Sequence, residues 1–496
     1  MSTVKEIINN GFSNHQYGNL VDAERAYLEA LSMDEENADV CNLLSVLKLQ
    51  QDKVNSAIDW AEKAINRNSC DYYYETLFQA YIRAGFYEKI IECENYVMKA
   101  FPKSFPLLFN LALAYKNLKQ NKRAIELYER ALKLDPSSYQ AWANLGHLYS
   151  IENQGKNAVS AYKICKKLKP NDSETDYFLS LALMRTKNYE KGLKLFESRI
   201  SREAAVALQN RTYPNLAPMG KLWKGENIKN KTIYVYYEAG YGDVIMFARY
   251  LPLLKKRCKK IVFYPQKPLV ELFNQEHLGV DEIIDGYIPE QNMSFDVHAP
   301  IMSLPYLLGL KGNRVFESPE GYLSADPELV KNFKEKHFTT DKIKIGFKWQ
   351  GNTYYDQDRV IPVEKFAPLI EMENTKFYSF QTFEGAENLE KLTSKYDITD
   401  IGNEVLDFKQ TAAALMNLDL LICNDTSLAH LAGALGVPCF MIVPYEVNWR
   451  WHENHKKCDW YDSVKIFRQK SMGDWDGVFE DVKTHITNCL KNMPSR

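Results

Sequence analysis

Hydrophobic positions in the first two hundred residues recur with a period of 34, and the spacing within each period is helical. The recurring positions lie three or four residues apart, which places their side chains on one face of an α-helix. One period has the order bulky, Leu, small, aromatic, then small, aromatic and proline, at Trp142, Leu145, Gly146, Tyr149, Ala158, Tyr162 and Pro170. The same classes stand 34 residues earlier, at Leu108, Leu111, Ala112, Tyr115, Ala124, Tyr128 and Pro136. The pattern predicts an array of helical pairs, each closed by a proline that cannot continue the helix.

This order resembles the tetratricopeptide repeat. Each helical pair leaves one apolar face uncovered, so successive pairs stack into a solenoid with a concave groove. We expect about six repeats over residues 1–205, with the first and third degenerate. Such arrays bind protein segments or mediate self-association, so the resemblance implies a protein partner or a homo-oligomer and no chemistry in this part of the chain.

The pattern changes beyond residue 205. After a linker at 206–230, β-rich runs alternate with helical segments, which predicts parallel sheets with crossover helices. The predicted strands are 231–237, 260–264, 342–348, 377–380, 419–423 and 437–443. We assign two Rossmann-like, doubly wound α/β domains, at 231–330 and 331–496, with ligands expected at the carboxyl ends of the strands.

Composition excludes several classes of protein. The chain has 45% hydrophobic residues, 62 Lys plus Arg and 64 Asp plus Glu, which argues against nucleic acid as the main partner. The sequence contains neither an apolar run long enough to span a membrane nor the basic-then-apolar start of a signal peptide. The nine cysteines include no C-x-x-C pair, so we expect reduced thiols and a cytoplasmic location.

A glycine-rich turn, Glu238-Ala-Gly-Tyr-Gly-Asp243, follows the first of these strands. Gly240 and Gly242 allow tight turning and close backbone approach at a helix start. The turn lacks the third glycine of the dinucleotide fingerprint, which disfavours a nicotinamide enzyme. Asp243 is a candidate base for an acceptor hydroxyl at the edge of the cleft, and the alternative is an aspartate that only caps the helix.

A second group of polar residues follows the strand 342–348. Lys348, Trp349, Asn352 and Arg359 lie on or near one loop, where cations and an amide suit a diphosphate, and Gln381 follows the next strand. The alternative is a polar surface loop. The same loop contains D-x-D at 356–358, but it lies outside a hydrophobic strand end, so no metal site is expected.

The third group begins where a strand turns into a helix, at Asp425, Thr426 and Ser427. We expect the helix to start at Thr426, with Asp425 as its cap and its first amides free to bind an anion. His430 lies four residues after Thr426, hence on the same helical face, where it either reaches the ligand or is a buried structural histidine.

These motifs together resemble the bacterial heptosyltransferase-like glycosyltransferases, in the branch that is fused to tetratricopeptide repeats. The tail segments Trp449-Arg-Trp451, Asp459-Trp-Tyr461, Phe467-Arg-Gln469 and Gly473-Asp-Trp475 are similar to that branch. The resemblance implies a GT-B fold and metal-independent, inverting transfer, with the acceptor on the first half and the donor nucleotide on the second. It implies that Asp243 is the base and that Lys348 and Asp425–Ser427 with His430 hold the donor diphosphate. A nucleotide-sugar is then a substrate, and no cofactor is expected.

Three functions stay open on the sequence alone. The first is glycosylation of a protein that the repeats recruit. The second is synthesis of a surface glycan or lipid-linked sugar, with the basic cluster 255–260 resting on anionic lipid. The third is a scaffold with a vestigial transferase half, although the presence together of Asp243, Lys348, Asp425 and His430 argues against it.

Overall fold

The structure, a computed structural model, describes residues 3–202, 220–273, 275–286, 294–317, 321–352, 357–453 and 457–491. The chain divides into two compact units, Met1–Thr175 and Asp176–Arg496. Within the described ranges, no helix combines the length and the apolar character that a bilayer span requires.

The first unit is built of successive helices. Their bounds are α1 Val4–Gln16, α2 Leu20–Met33, α3 Ala38–Gln50, α4 Val54–Arg67, α5 Asp71–Ala84, α6 Tyr87–Glu92, α7 Glu94–Ala100, α8 Phe105–Asn117, α9 Asn121–Leu134, α10 Tyr139–Ile151 and α11 Gly155–Leu168. The second helix of the third repeat is divided at Cys93 into α6 and α7, and this is one of the repeats predicted to be degenerate.

The repeated positions make the contacts that the period predicts. A Cβ placed on Gly146 would lie 3.0 Å from the Tyr162 ring, so the small residue lets α10 and α11 approach closely. In the third, fourth and fifth repeats, the tyrosine near the end of the first helix also has a polar role, because its hydroxyl donates to a glutamate of the preceding repeat. Tyr81 donates to Glu62 at 2.9 Å and Tyr149 donates to Glu129 at 2.6 Å. The hydroxyl is therefore satisfied while its ring is buried.

The second unit begins inside helix α12, Ser173–Arg185, and continues with α13, Tyr189–Phe196. The apolar face of α13 is buried in the same core as the strands that follow. Tyr189, Leu193 and Phe196 all lie in that core, and Tyr189 donates or accepts a hydrogen bond with His452 at 3.1 Å. The last helical pair is thus covered by the α/β part of the chain.

Two all-parallel sheets follow. The first has the strands β1 Ile228–Tyr236, β2 Cys258–Tyr264, β3 Glu282–Ile283 and β4 Val297–Pro300, in the order β3-β2-β1-β4. The second has β5 Ile343–Lys348, β6 Thr375–Ser379, β7 Ile398–Asp400, β8 Leu420–Asn424, β9 Cys439–Val443 and β10 Val464–Arg468, in the order β10-β9-β8-β5-β6-β7. The second sheet has the doubly wound order in which the strand sequence reverses between β5 and β8.

Helices of the second unit cover these sheets. They are α14 Tyr241–Ala248, α15 Leu251–Lys255, α16 Val270–Phe273, α17 Leu304–Leu307, α18 Pro327–His337, α19 Ala367–Ile370, α20 Glu390–Thr393, α21 Phe408–Leu415, α22 Ser427–Leu435 and α23 Trp475–Lys491. The pattern missed β3, β4, β7 and β10. Strands β3 and β7 have three residues or fewer and β4 ends in Pro300, so the periodicity of these three is too short to detect, whereas β10 has five residues and its length does not explain the miss.

The predicted linker is described only from residue 220 onward. Trp223 is buried there, and its backbone amide donates to the His298 carbonyl at 2.8 Å, beside β4. This part of the linker is therefore packed against the first sheet. The predicted break between the two sheets contains α18, Pro327–His337, which begins at a side-chain cap made by Asp326.

Helices α14 and α22 join the two sheets by direct contact. A Cβ on Gly242 would lie 2.7 Å from Cδ2 of His430 and 3.2 Å from Cα of Ser427. Only a residue without a side chain fits at 242, and this contact fixes the edge of the first sheet on the helix that follows β8.

We expect Gly242→Ala to lower the free energy of unfolding of the second unit by about 1–3 kcal/mol, because the new methyl group would lie 2.7 Å from Cδ2 of the buried His430 ring and 3.2 Å from Cα of Ser427. The matched control is Gly240→Ala, where a Cβ meets only Oδ2 of Asp243 at 3.5 Å, an ordinary contact. Chemical denaturation of both full-length variants checks this. Equal stability of the two variants would show that α14 and α22 do not pack as described.

Candidate active site

The predicted donor residues lie at the point where the second sheet reverses its strand order. Lys348 ends β5 and Asn424 ends β8, and these neighbouring strands pair in parallel so that their carboxyl ends meet. A Cβ on Gly351 would lie 3.0 Å from Cγ2 of Thr426, so the loop after β5 touches the turn after β8. The two motifs that the sequence singled out separately therefore form one site.

The turn after β8 differs from the prediction by one residue. Helix α22 begins at Ser427, and its N-cap is Thr426, whose side chain makes no capping bond. Asp425 is not the cap, because its carboxylate lies 3.3 Å from Nη1 of Arg359. Among the described residues, the backbone amides of Ser427 and Leu428 have no hydrogen-bond partner. The helix start thus keeps the unpaired donors that an anion needs.

Lys348 is a buried cation at the end of β5. Its side chain is 8% exposed, and Nζ donates to the carbonyl of Phe380 and to Oγ1 of Thr382, both at 3.3 Å. Among the described residues, no carboxylate lies within ion-pair distance of it. Burial lowers the pKa of this lysine to about 8. A buried ammonium without a counter-ion is costly, and a bound anion would remove that cost.

Trp349 and Gln381 are buried residues next to the site, and the structure uses both for packing or for bonds within the protein. Trp349 is buried in the core under β5, and its indole N–H has no partner among the described residues. Oε1 of Gln381 accepts from the backbone amides of Trp349 and Gln350, and its Nε2 donates to the carbonyls of Gln350 and Glu384. The structure thus uses the Gln381 amide to brace two loops, and a direct ligand contact would have to break these bonds.

His430 lies inside the contact between the two sheets. It is 4% exposed, its Nδ1 lies 3.0 Å from the Tyr461 hydroxyl, and its ring packs on Trp451 with centroids 5.2 Å apart. Burial lowers its pKa to about 4, so the imidazole is neutral at physiological pH. Gly242 covers its other edge. These contacts match the structural alternative for this histidine, and the predicted ligand contact is not open in this conformation.

Asp243 stands at the start of α14, where Oδ2 accepts from the backbone amide of Gly240 at 3.1 Å. Its Oδ1 accepts from Nη2 of Arg450, which lies on the loop after β9. Arg450 is itself held over the Trp449 ring, 4.4 Å from its centroid, and it donates to Oδ1 of Asn448 at 2.9 Å. The candidate base is therefore an oriented carboxylate that is paired with a cation from the second half of the unit.

Arg450 is a site residue that the sequence reasoning missed. It appears there only as the middle of Trp449-Arg-Trp451, a tail motif without an assigned role. An arginine between two tryptophans is a signal for a partly buried cation, but nothing local shows that it meets a carboxylate 207 residues earlier. Only the packing of the two sheets brings them together.

The structure also corrects the reading of the glycine turn. The left-handed residue is Ala239, with φ 60°, whereas Gly240 has φ −87° and is extended. Gly242 is needed for the approach of α22 and not for the approach of a ligand. Asp243 was predicted to lie at the edge of a cleft, and directly before it Gly242 lies against Ser427, so the starts of α14 and α22 are in contact at this point. Glu238, the first residue of the motif, forms an ion pair with Arg199, which donates to its carboxylate at 2.7 and 3.0 Å.

The remaining loop residues lie at the rim. Asn352 is exposed, and Arg359 is the last residue of a short 3₁₀ turn and forms an ion pair with Asp425. Of the D-x-D motif, Asp358 is exposed and Asp356 lies outside the described residues. The site therefore combines three cations, Lys348, Arg359 and Arg450, with free amides at one helix start.

A helical repeat array followed by two parallel, Rossmann-like sheets is the architecture of a tetratricopeptide solenoid joined to a GT-B type glycosyltransferase. Residues 106–138 and 127–158 match tetratricopeptide-repeat families, and residues 317–442 match glycosyltransferase family 9, the heptosyltransferases. The chain therefore carries tetratricopeptide repeats and a heptosyltransferase-like glycosyltransferase region. Every predicted donor residue lies inside that region, whereas Asp243 and Arg450 lie outside it.

Individual relatives are distant. Protein FlbA of Caulobacter vibrioides (strain ATCC 19089 / CIP 103742 / CB 15) is 24% identical over 323 residues, which cover 60% of this chain and 52% of that protein. The chain thus spans about half the length of this curated relative. A family 9 glycosyl transferase from Veillonella parvula DSM 2008 is 14% identical with a TM-score of 0.40, and covers 55% of this chain and 92% of its own. A thermophilic tetratricopeptide protein of Thermus thermophilus is 18% identical with a TM-score of 0.30, over 37% of this chain and 100% of its own.

The buried lysine predicts a pH dependence. We expect the affinity of the full-length protein for a nucleoside diphosphate, whose own charge is constant above neutral pH, to fall as pH rises through about 8, where Lys348 loses its proton. The sign follows because the anion needs the ammonium form, so binding takes up a proton above that pH, and the affinity falls by up to about tenfold per pH unit. Calorimetry in two buffers of different ionisation enthalpy measures this proton uptake.

Lys348→Met is the informative variant. It removes a desolvated charge, so we expect weaker nucleotide binding together with a free energy of unfolding that is higher by up to about 3 kcal/mol at neutral pH. An affinity that does not change with pH in the wild type, and does not change in the variant, would remove Lys348 from the ligand site.

Proposed function

We propose that this protein transfers a sugar from a nucleotide-sugar donor to a hydroxyl acceptor, with inversion at the sugar and without a metal ion. The observation that carries the proposal is the buried ammonium of Lys348, which has no carboxylate partner among the described residues, beside the amides of Ser427 and Leu428 at the strand-order reversal of the second sheet. A diphosphate supplies the negative charge that this arrangement lacks.

The chemistry follows from where charge develops. The acceptor oxygen attacks the anomeric carbon as the bond from that carbon to the donor phosphate oxygen breaks, and the leaving diphosphate gains negative charge. Lys348 and the amides of Ser427 and Leu428 stabilise that charge, the role that a metal ion has in other enzymes. Attack from the side opposite the leaving group inverts the configuration.

Asp243 takes the proton of the acceptor hydroxyl. Its two oxygens each accept one bond, from Gly240 and from Arg450, and each keeps a further lone pair for the hydroxyl. Arg450 orients the carboxylate, which accepts the proton as the carbon–oxygen bond forms.

The acceptor we propose is a protein that the repeats recruit. The repeats match families that serve in protein interaction, and the last helical pair shares a core with the α/β part, which makes the end of the array part of the transferase unit. The lipid-linked alternative is less well supported. Two lysines of the basic cluster are neutralised, because Lys255 pairs with Asp281 and Lys260 pairs with Glu282, each at 2.6 Å.

A panel of nucleoside diphosphates tested by calorimetry separates an enzyme from a vestigial scaffold. The proposed transferase binds at least one of them, and a donor-hydrolysis screen across the corresponding nucleotide-sugars then identifies the sugar. Failure to bind any nucleoside diphosphate would contradict the proposed function.

Asp243→Asn tests the base. We expect transfer to fall at least about 100-fold, the usual contribution of general base catalysis, while nucleotide affinity changes little because Asp243 bonds to Gly240 and Arg450 and not to Lys348 or the amides of α22. The comparison variant is Glu238→Gln, which alters a nearby carboxylate already bound to Arg199. Activity that persists within a few-fold in Asp243→Asn would show that another group takes the proton.

A further inference from the structure

The loop after β6 presents one large apolar side chain to solvent. Phe383 is 92% exposed, more than any other large hydrophobic residue in the described part of the chain. Its backbone is also left-handed, with φ 54°, a conformation that a bulky side chain adopts only at a cost in energy. An exposed ring and a strained backbone at one position suggest a function, because neither stabilises the folded chain.

The exposure of Phe383 is fixed by its neighbours. Gln381, which is buried, donates to the Glu384 carbonyl at 2.7 Å, and the amide of Ala386 donates to the carbonyl of Phe383 at 3.1 Å. Gly385, with φ 80°, packs directly on the Gln350 side chain of the loop after β5. The ring is therefore held out by a braced turn.

The position of the ring relative to the anion site is set by the adjacent residue. Oγ1 of Thr382 lies 3.3 Å from Nζ of Lys348, so Phe383 follows immediately on a direct neighbour of the buried ammonium. Both lie at the carboxyl edge of the second sheet, on the side of β5 that faces β6. A ligand whose phosphates are held at Lys348 and α22 has this loop beside it.

We propose that Phe383 is a stacking platform for the heterocyclic base of the nucleotide-sugar donor. This inference rests on the proposed function, because it places the nucleoside of the same ligand whose diphosphate binds at Lys348. A planar base has an aromatic face that stacks on a phenyl ring whatever its hydrogen-bonding edge, and stacking accounts for the exposure that packing leaves unexplained. A protein segment that covers the ring is the competing occupant, and the experiment distinguishes the two.

Calorimetry on the full-length protein tests the platform, with uridine, guanosine, adenosine, cytidine and thymidine diphosphates and with inorganic pyrophosphate as the probe that has no base. We expect Phe383→Ala to weaken the preferred nucleoside diphosphate by about five- to 150-fold, as for other base-stacking aromatics, and to leave pyrophosphate affinity unchanged. Phe383→Trp restores the nucleotide affinity. Leu406→Ala is the matched control, since Leu406 is 83% exposed and lies on a different loop.

A second measurement separates function from folding. Phe383→Gly relieves the left-handed backbone, so we expect its melting temperature to rise while its nucleotide affinity falls. Equal nucleotide affinity in the wild type and Phe383→Ala overturns the platform and favours a protein occupant, while the proposed function stands if the wild type binds. If the wild type binds neither nucleotides nor pyrophosphate, both proposals fail.

Discussion

The contact between Gly242 and the first turn of α22 is the constraint on which the rest of the second unit depends. It brings a turn from the first sheet against Ser427 and His430 of the second, with no room for a side chain between them. Because that spacing is fixed, the next residue, Asp243, lies at the edge where the second sheet reverses its strand order, within reach of Arg450. A small displacement of α14 would separate the carboxylate from its cation and from the anion site together.

The positive charges of the site all lie on one side of this contact. The second half contributes Lys348, Arg359 and Arg450, and only Arg359 and Arg450 have carboxylate partners among the described residues, namely Asp425 and Asp243. Lys348, for which the described residues supply no carboxylate, is also the least exposed of the three. Burial lowers its pKa, and buried charges with perturbed pKa values cluster at functional sites.

The sequence predicted the classes of structure well and the local geometry less well. The 34-residue period gave the helical pairs, since side-chain spacing reports directly on helical faces, and the six predicted strands all exist within a few residues of their expected bounds. Short edge strands such as β3 and β7 were not predicted, because two or three residues are too few to show a periodicity. The site residues on β5 and after β8 meet as expected from the rule for parallel sheets. What could not be predicted depends on distant packing: the pairing of Arg450 with Asp243, the covering of His430 by Gly242, and the use of Gln381 as a brace.

The two ends of the repeat array differ, because the last helical pair packs into the α/β part of the chain. Repeat arrays need a terminal element that covers the final apolar face, and here α13 lies in the core of the α/β part, where Tyr189 is buried. The compact second unit therefore begins one helical pair before the repeat period stops. Repeats before that pair can be gained or lost in the course of evolution without exposing the core of the transferase, so the reach of the array and the chemistry of the site are free to diverge independently.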